Sequence, residues 1–122
     1  MRKIEDILHQ AGGNIWDVEP WETGYSALVH LPDSGTGTLI IGYNENVFNH
    51  VSVSPKKKYN LPTWDDMALL KQWCFEPEEE VYQIHPAQKE YINIKDNCLH
   101  LWQPVNGKRL CDLLERIEPC EN

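Results

Sequence analysis

The feature that most limits the fold of this chain is a series of short alternating segments separated by turn residues. Tyr25–Leu31 has an apolar side chain at every second position, which is the period of a half-buried strand. Pro32-Asp33-Ser34-Gly35 is typical of a turn and leads to a second strand at Thr38–Tyr43. Phe48–Ser54 is a third predicted strand, with Val47, Val51 and Val53 facing inward and His50, Ser52 and Ser54 facing outward. The pattern predicts an antiparallel meander.

Helical patterns lie on both sides of these strands. Lys3–Gln10 predicts a short N-terminal helix that ends at Gly12-Gly13. Thr63 is the candidate N-cap of a central helix, because acidic residues follow it in the first turn. A third, C-terminal helix is predicted from an apolar stripe formed by Leu110, Leu113, Leu114 and Ile117.

Two further strands are predicted after the central helix, at Val81–His85 and Cys98–Gln103. In the second of them Leu99 and Leu101 should face the core, and Cys98, His100 and Trp102 the other side. We therefore expect one α+β domain over residues 1–122, with an antiparallel β-sheet, a short N-terminal helix, a central helix and a C-terminal helix.

The central helix has apolar residues on two sides. Leu69 and Trp73 lie opposite the main apolar arc, which is formed by Trp64, Met67, Ala68, Leu70, Cys74 and Phe75. A helix that is apolar on two sides must be covered twice. A second subunit is the expected second cover, which predicts a homodimer; the first helix or a loop is the alternative.

Charge and composition exclude several classes of protein. The net charge of −8 argues against nucleic acid or a membrane surface as the partner. No apolar run approaches the ~20 residues of a membrane span, and Met1-Arg2-Lys3 is followed by acidic residues rather than by a signal peptide. We expect a cytoplasmic protein whose four cysteines are free thiols. The cysteine spacing contains no Cys-x-x-Cys, and neither a metal nor a cofactor is expected.

Several residues suit the binding of a nucleotide. His85, Tyr91 and Asn93 fall in or beside a polar loop between the last two predicted strands, where binding residues commonly collect. Aromatic rings stack on bases, an Asn amide matches a purine edge, and cations hold phosphates. Rings and cations elsewhere in the chain could complete such a site: Trp16 and Trp21, which flank an acidic turn that contains a proline, together with Lys57 and Arg109.

One partial motif suggests catalysis instead. His50-Val51-Ser52-Val53 matches the His-apolar-Ser-apolar motif of the two-histidine phosphoesterases, in which one His accepts a proton and the other donates one. The second copy would have to be His100-Leu101-Trp102, which lacks the hydroxyl. No nucleophile or orienting carboxylate accompanies His85 or His100. We therefore expect a binding protein, with a phosphodiesterase or a protein–protein inhibitor as the alternatives.

An ordered series of motifs between about residues 48 and 104 resembles a phage-encoded family, the anti-Thoeris signal sponges of the first type, which lies within a group often described only as of unknown function. The motifs are Val51-Ser52-Val53-Ser54, Pro62-Thr63-Trp64-Asp65-Asp66-Met67, Pro77-Glu78-Glu79, Val81-Tyr82-Gln83, His85-Pro86, Tyr91-Ile92-Asn93 and Cys98-Leu99-His100-Leu101-Trp102.

The resemblance implies a function. Thoeris is a bacterial defence in which a TIR enzyme converts NAD into a cyclic ADP-ribose isomer, and the sponge binds that signal in the infected cell without cleaving it. Members form dimers or larger assemblies, and some also hold cyclic oligonucleotides. Their aromatic, Asn and Arg binding positions correspond to Tyr82, Asn93 and Arg109. Ile84 or Lys57 stands where an aromatic residue or Arg would be expected, which affects the choice of ligand.

Overall fold

The computed structural model describes residues 1–43, 49–57, 60–84 and 99–103. Within them lie two α-helices, α1 (Ile4–Ala11) and α2 (Trp64–Cys74), and a short 3-10 turn at Gly12–Asn14. The strands are β1 (Ile15–Trp21), β2 (Gly24–Leu31), β3 (Gly35–Gly42), β4 (His50–Pro55), β5 (Tyr82–Ile84) and β6 (Leu99–Trp102). They form one six-stranded sheet in the order β1-β2-β3-β4-β6-β5, and every neighbouring pair is antiparallel.

This architecture confirms the predicted α+β class, the N-terminal helix and the central helix. The predicted hairpin is present, since β2 and β3 pair from Gly24↔Gly42 to Leu31↔Gly35. Gly35 closes the turn with a φ of 74°, a backbone conformation that glycine adopts without strain. The apolar stripe from Leu110 to Ile117, which predicts the C-terminal helix, lies outside the described residues, and so do Val47 and Cys98.

The sheet has two faces, which we call the inner face and the outer face. The inner face carries alternate residues of the strands, and those on the central strands are fully buried. Val29, Val51, Val53, Leu99 and Leu101 are buried as predicted, and Leu39, for which no side was predicted, is buried with them. Ile7 and Ala11 of α1 and Met67 and Leu70 of α2 belong to the same core cluster. The two helices therefore cover the inner face, and burial of this apolar surface stabilises the fold.

Helix α2 begins as the sequence predicts. Thr63 Oγ1 accepts a hydrogen bond from the Asp66 backbone N–H at 3.3 Å, and the Asp66 carboxylate accepts one from the Thr63 N–H, which forms a capping box. The same carboxylate is fully buried and accepts the backbone N–H groups of Asp33 and Ser34, each at 3.0 Å. Asp66 thus ties the start of α2 to the turn between β2 and β3.

The predicted orientation of α2 is wrong in part. Trp73 is only 4% exposed and belongs to the core of its own chain, whereas Trp64 is 61% exposed and Ala68 is also exposed. The buried positions are Asp66, Met67, Leu70, Trp73 and Cys74, which follow the helical period once Asp66 is counted among them. Trp73 therefore gives no support for a subunit contact.

The acidic turn expected between Trp16 and Trp21 is also wrong, because this segment is strand β1. The alternation of inward- and outward-facing side chains along β1 is broken by a bulge between Trp16 and Glu19, where Asp17 has a φ of 53°. A bulge leaves an extra residue unpaired and shifts the pattern of side chains. Pro20 is tolerated because β1 is an edge strand of the sheet.

Candidate functional site

The outer face is marked by a row of residues that crosses all six strands. The register places Trp21 opposite Gly24, Gly24 opposite Gly42, Gly42 opposite His50, His50 opposite Trp102, and Trp102 opposite Tyr82. Directly opposite residues of an antiparallel pair project from the same face. The row therefore has rings at both ends and two glycines between them.

A groove lies over the two glycines. It has a volume of about 210 Å³, and the residues that line it include Trp21, Gly24, Tyr25, Ser26, Ile40, Gly42 and His50. A Cβ on Gly42 would lie 2.4 Å from His50 Nδ1, so the imidazole ring extends over the backbone of β3. The absence of a side chain at Gly42 thus gives His50 its position in the wall of the groove.

The opposite wall is the indole of Trp21, which is 64% exposed. Its Nε1 donates a hydrogen bond to Ser26 Oγ at 2.6 Å, which fixes the orientation of the ring. Ile40, between the two walls, is 39% exposed. An indole and an aliphatic side chain on the face of a sheet form an apolar surface on which a flat molecule can stack.

His50 and His100 both stack on Trp102. The ring centroids of His50 and Trp102 are 4.6 Å apart with planes inclined at 22°, and those of His100 and Trp102 are 5.6 Å apart at 10°. Burial lowers the pKa of both histidines to about 4, and His50 itself contributes to lowering the pKa of His100. Both imidazoles are therefore neutral at pH 7.

A second, larger groove of about 380 Å³ adjoins the first. It shares Trp21, Gly24 and Tyr25 and is further lined by Lys3, Glu5, Glu22 and Tyr43. Tyr25 and Tyr43 meet edge to face, with centroids 5.9 Å apart and planes at 87°. Burial raises the pKa of Tyr43 to about 12, so its hydroxyl stays protonated at neutral pH.

The predicted binding residues that the structure describes do not meet in one groove. Trp16, Trp21 and Tyr82 all project from the outer face, and Trp21 and Tyr82 belong to the row that crosses the six strands. However, Trp21 and Tyr82 stand on the two edge strands, five strand spacings of about 4.8 Å apart. Lys57 is exposed just beyond β4, seven residues from His50 and therefore roughly 20 Å away along an extended chain. It does not line either groove.

Four other predicted binding residues, His85, Tyr91, Asn93 and Arg109, lie outside the described residues. Gly24, Ser26, Ile40 and Gly42 of the groove are not among the residues predicted from the sequence, and His50 is predicted only in a catalytic role. A signal for the groove was present: two Gly-Tyr dipeptides, at Gly24 and Gly42, each begin nine residues from Asp33 in the predicted turn. That symmetry pairs the two glycines across a hairpin.

Comparison with known protein families matches residues 40–106, more than half of the chain, to a domain of unknown function, DUF7694. The chain belongs to this family. No curated protein and no solved structure matches it. The DUF7694 match begins at Ile40, so it includes Ile40, Gly42 and His50 of the groove, whereas Trp21, Gly24 and Ser26 precede it. The groove therefore joins the DUF7694 segment to the β1–β2 hairpin.

The described part of this DUF7694 protein contains neither a membrane-spanning helix nor a group of metal ligands. None of its helices is long and apolar enough to cross a membrane. Among the same residues, no three His, Cys, Asp or Glu side chains are grouped so that they could hold a metal ion. Cys74, the cysteine within this part of the chain, is a buried thiol whose pKa burial raises to about 12, which makes it unreactive at neutral pH.

Proposed function

We propose that this protein binds and sequesters a small cyclic adenine-nucleotide signal without cleaving it, in the cytoplasm of an infected bacterial cell. A cyclic ADP-ribose isomer is the first candidate ligand, and cyclic oligonucleotides are the next. The observation that carries the proposal is the groove between the exposed Trp21 ring and the neutral His50 ring. The resemblance to the anti-Thoeris sponges supports the same ligand class.

Sequestration differs from catalysis in what it demands of a site. A sponge must be present in amounts comparable to the signal and must release it slowly, so the ligand should be largely enclosed. The groove alone is open on one side. The resemblance implies binding roles for Asn93 and Arg109, and it implies a homodimer or larger homo-oligomer, in which a second copy of the chain would complete the enclosure.

The proposal is tested by measuring whether the bound ligand is recovered intact when the protein is denatured. The protein is incubated with a cyclic ADP-ribose isomer in excess, the unbound fraction is measured, and the protein is then denatured by heat. We expect depletion that stops at a fixed stoichiometry and recovery of the intact cyclic compound by chromatography. Depletion beyond one equivalent per site, with a linear product, would contradict sequestration. Light scattering of the folded protein, before it is heated, tests whether it forms a homodimer.

A two-histidine phosphodiesterase is the second candidate, because His50, Ser52 and His100 all project from the outer face. Ser52 lies opposite His100 across β4 and β6, and His50 lies opposite Trp102 in the next outward-facing pair. Against this candidate, such an enzyme needs one protonated histidine as the general acid, whereas both imidazoles are neutral at pH 7 and are stacked on Trp102.

The variant His50→Ala separates the two functions. A general base contributes about a hundredfold to ten-thousandfold to a rate, so an enzyme would lose almost all turnover. A sponge has no turnover to lose, and its stoichiometric capture of the ligand would weaken without any product being formed. Turnover by the wild type that disappears in His50→Ala would support the phosphodiesterase.

A further inference from the structure

We infer that the groove between Trp21 and His50 is a stacking site for one uncharged planar heterocycle, an adenine base in the first instance, and that the phosphates of a nucleotide lie outside it. The choice of adenine rests on the proposed function, whereas the preference for an uncharged ring rests on the groove itself.

Size is the first reason. The groove measures about 210 Å³, which is below the roughly 300–1,000 Å³ of pockets that enclose a drug-sized ligand. It can therefore receive one ring system but not a whole dinucleotide. The larger groove, which shares Trp21, Gly24 and Tyr25 with the first, leaves room for the remainder of a ligand whose ring is held in the first.

Pre-organisation is the second reason. The hydrogen bond from Trp21 Nε1 to Ser26 Oγ holds the indole in one orientation and satisfies its single polar atom. A ligand that stacks on this ring does not have to order it first, which lowers the cost of binding. The His50 ring lies over Gly42, whereas Gly24 beside Trp21 carries no side chain, so the floor next to the indole is backbone and a flat molecule can approach it closely.

Charge is the third reason. Among the described residues that line the groove there is no Lys or Arg, and His50 is neutral at pH 7. A phosphate placed there would lose hydration without gaining a cation. In the adjoining groove Lys3 is accompanied by Glu5 and Glu22. The groove therefore favours a neutral ring over an anion, and the cations that meet the phosphates must come from elsewhere.

Calorimetric titration with adenosine tests the assignment on the full chain. The variants are Trp21→Ala, which removes the stacking ring, Trp21→Phe, which keeps a ring without its N–H, and Trp16→Ala, which removes an outer-face indole of the same strand that lines neither groove. We expect Trp21→Ala to weaken adenosine binding by about tenfold to a hundredfold, the range that base–aromatic stacking supports. Trp21→Phe should retain most of the affinity and Trp16→Ala all of it.

Inorganic phosphate should not compete with adenosine, because the groove offers it no cation. The assignment would be overturned if the wild type did not bind adenosine, if Trp21→Ala bound it as tightly as wild type, or if phosphate displaced it. Because Trp21 is exposed, its variants should fold normally, and circular dichroism checks this. Trp21→Phe decides the outcome if Trp21→Ala is damaged: loss of binding in a folded Trp21→Phe would contradict ring stacking.

A parallel titration with a cyclic ADP-ribose isomer distinguishes this inference from the proposed function. Binding of adenosine at Trp21 without any binding of the cyclic compound would support the groove and contradict the sponge. Equal binding of the cyclic compound by wild type and Trp21→Ala would support the sponge and contradict the groove.

Discussion

The inner and outer faces of the sheet are made from alternate residues of the same strands, yet they follow different rules. On β3, Leu39 is fully buried under the helices, while its neighbour Ile40 is 39% exposed. The inner face is explained by burial alone. The outer face has an indole exposed to 64%, two paired glycines and two neutral histidines, none of which a core requires. This difference is the basis for proposing the outer face, and not the inner face, as the binding surface.

The largest expected effect concerns the inner face. Leu39→Ala removes a fully buried side chain and should lower the free energy of unfolding by about 2–5 kcal/mol, through lost burial and the cavity that remains. Ile40→Ala, one residue along the same strand, should cost less than about 1 kcal/mol. Urea denaturation of both variants measures the contrast. Equal losses would show that the two faces do not differ as described.

A polar residue of the core provides the next test. Asp66 accepts backbone N–H groups from Asp33 and Ser34 on its two carboxylate oxygens. Asp66→Asn replaces one of these oxygens with an amide NH₂, which cannot accept, and leaves a buried donor without its partner at a cost of about 1–3 kcal/mol. Asp65→Asn, at the exposed neighbouring position, is the control and should change stability little. If both variants unfold at the same urea concentration as wild type, the buried carboxylate does not anchor α2.

The histidines of the outer face predict a pH dependence of stability. Burial lowers the pKa of His50 from its ordinary value of 6.5 to about 4, so the unfolded chain binds a proton in this range that the folded chain does not. The contribution of neutral, buried His50 to the free energy of unfolding is complete above pH 6.5 and is lost as the pH falls from 6.5 towards 4.

His50→Gln removes this group and should make the loss of stability between pH 7 and pH 5 smaller by about 2 kcal/mol. Urea denaturation at several pH values measures the slope for each protein, which separates the titration from any uniform change in stability. Parallel pH curves for wild type and variant would mean that His50 is solvated in the folded protein.

Much of the fold could be predicted from the sequence because the inner face repeats with a period of two. Tyr25–Leu31 and the segment containing Val51 and Val53 gave the correct strands and the correct buried side. The β1 strand could not be recognised, since the bulge at Asp17 breaks the alternation. The buried side of α2 was misjudged because Asp66 was not counted as a core residue. Its partners are backbone N–H groups of a distant turn, which side-chain patterns do not reveal.

The candidate site was less predictable than the core. Trp21 was recognised as a ring that could stack on a base, but its partners in the groove depend on strand register. Register is a property of the paired strands and not of either strand alone. For the same reason Tyr82 could not be placed on the edge strand opposite Trp21 before the strand order was known.

Thermal unfolding with and without a cyclic ADP-ribose isomer tests most directly whether the outer face binds this ligand. The variant is Ile40→Asp, which puts a charge into the groove, and the control is Thr38→Asp, the same charge on the next outward-facing position of β3. Without ligand, each variant should differ from wild type by less than about 1 kcal/mol. With ligand at a hundred times its Kd, wild type and Thr38→Asp should gain about 2.7 kcal/mol of stability, and Ile40→Asp should gain almost none. An equal gain in all three proteins would contradict binding at this face.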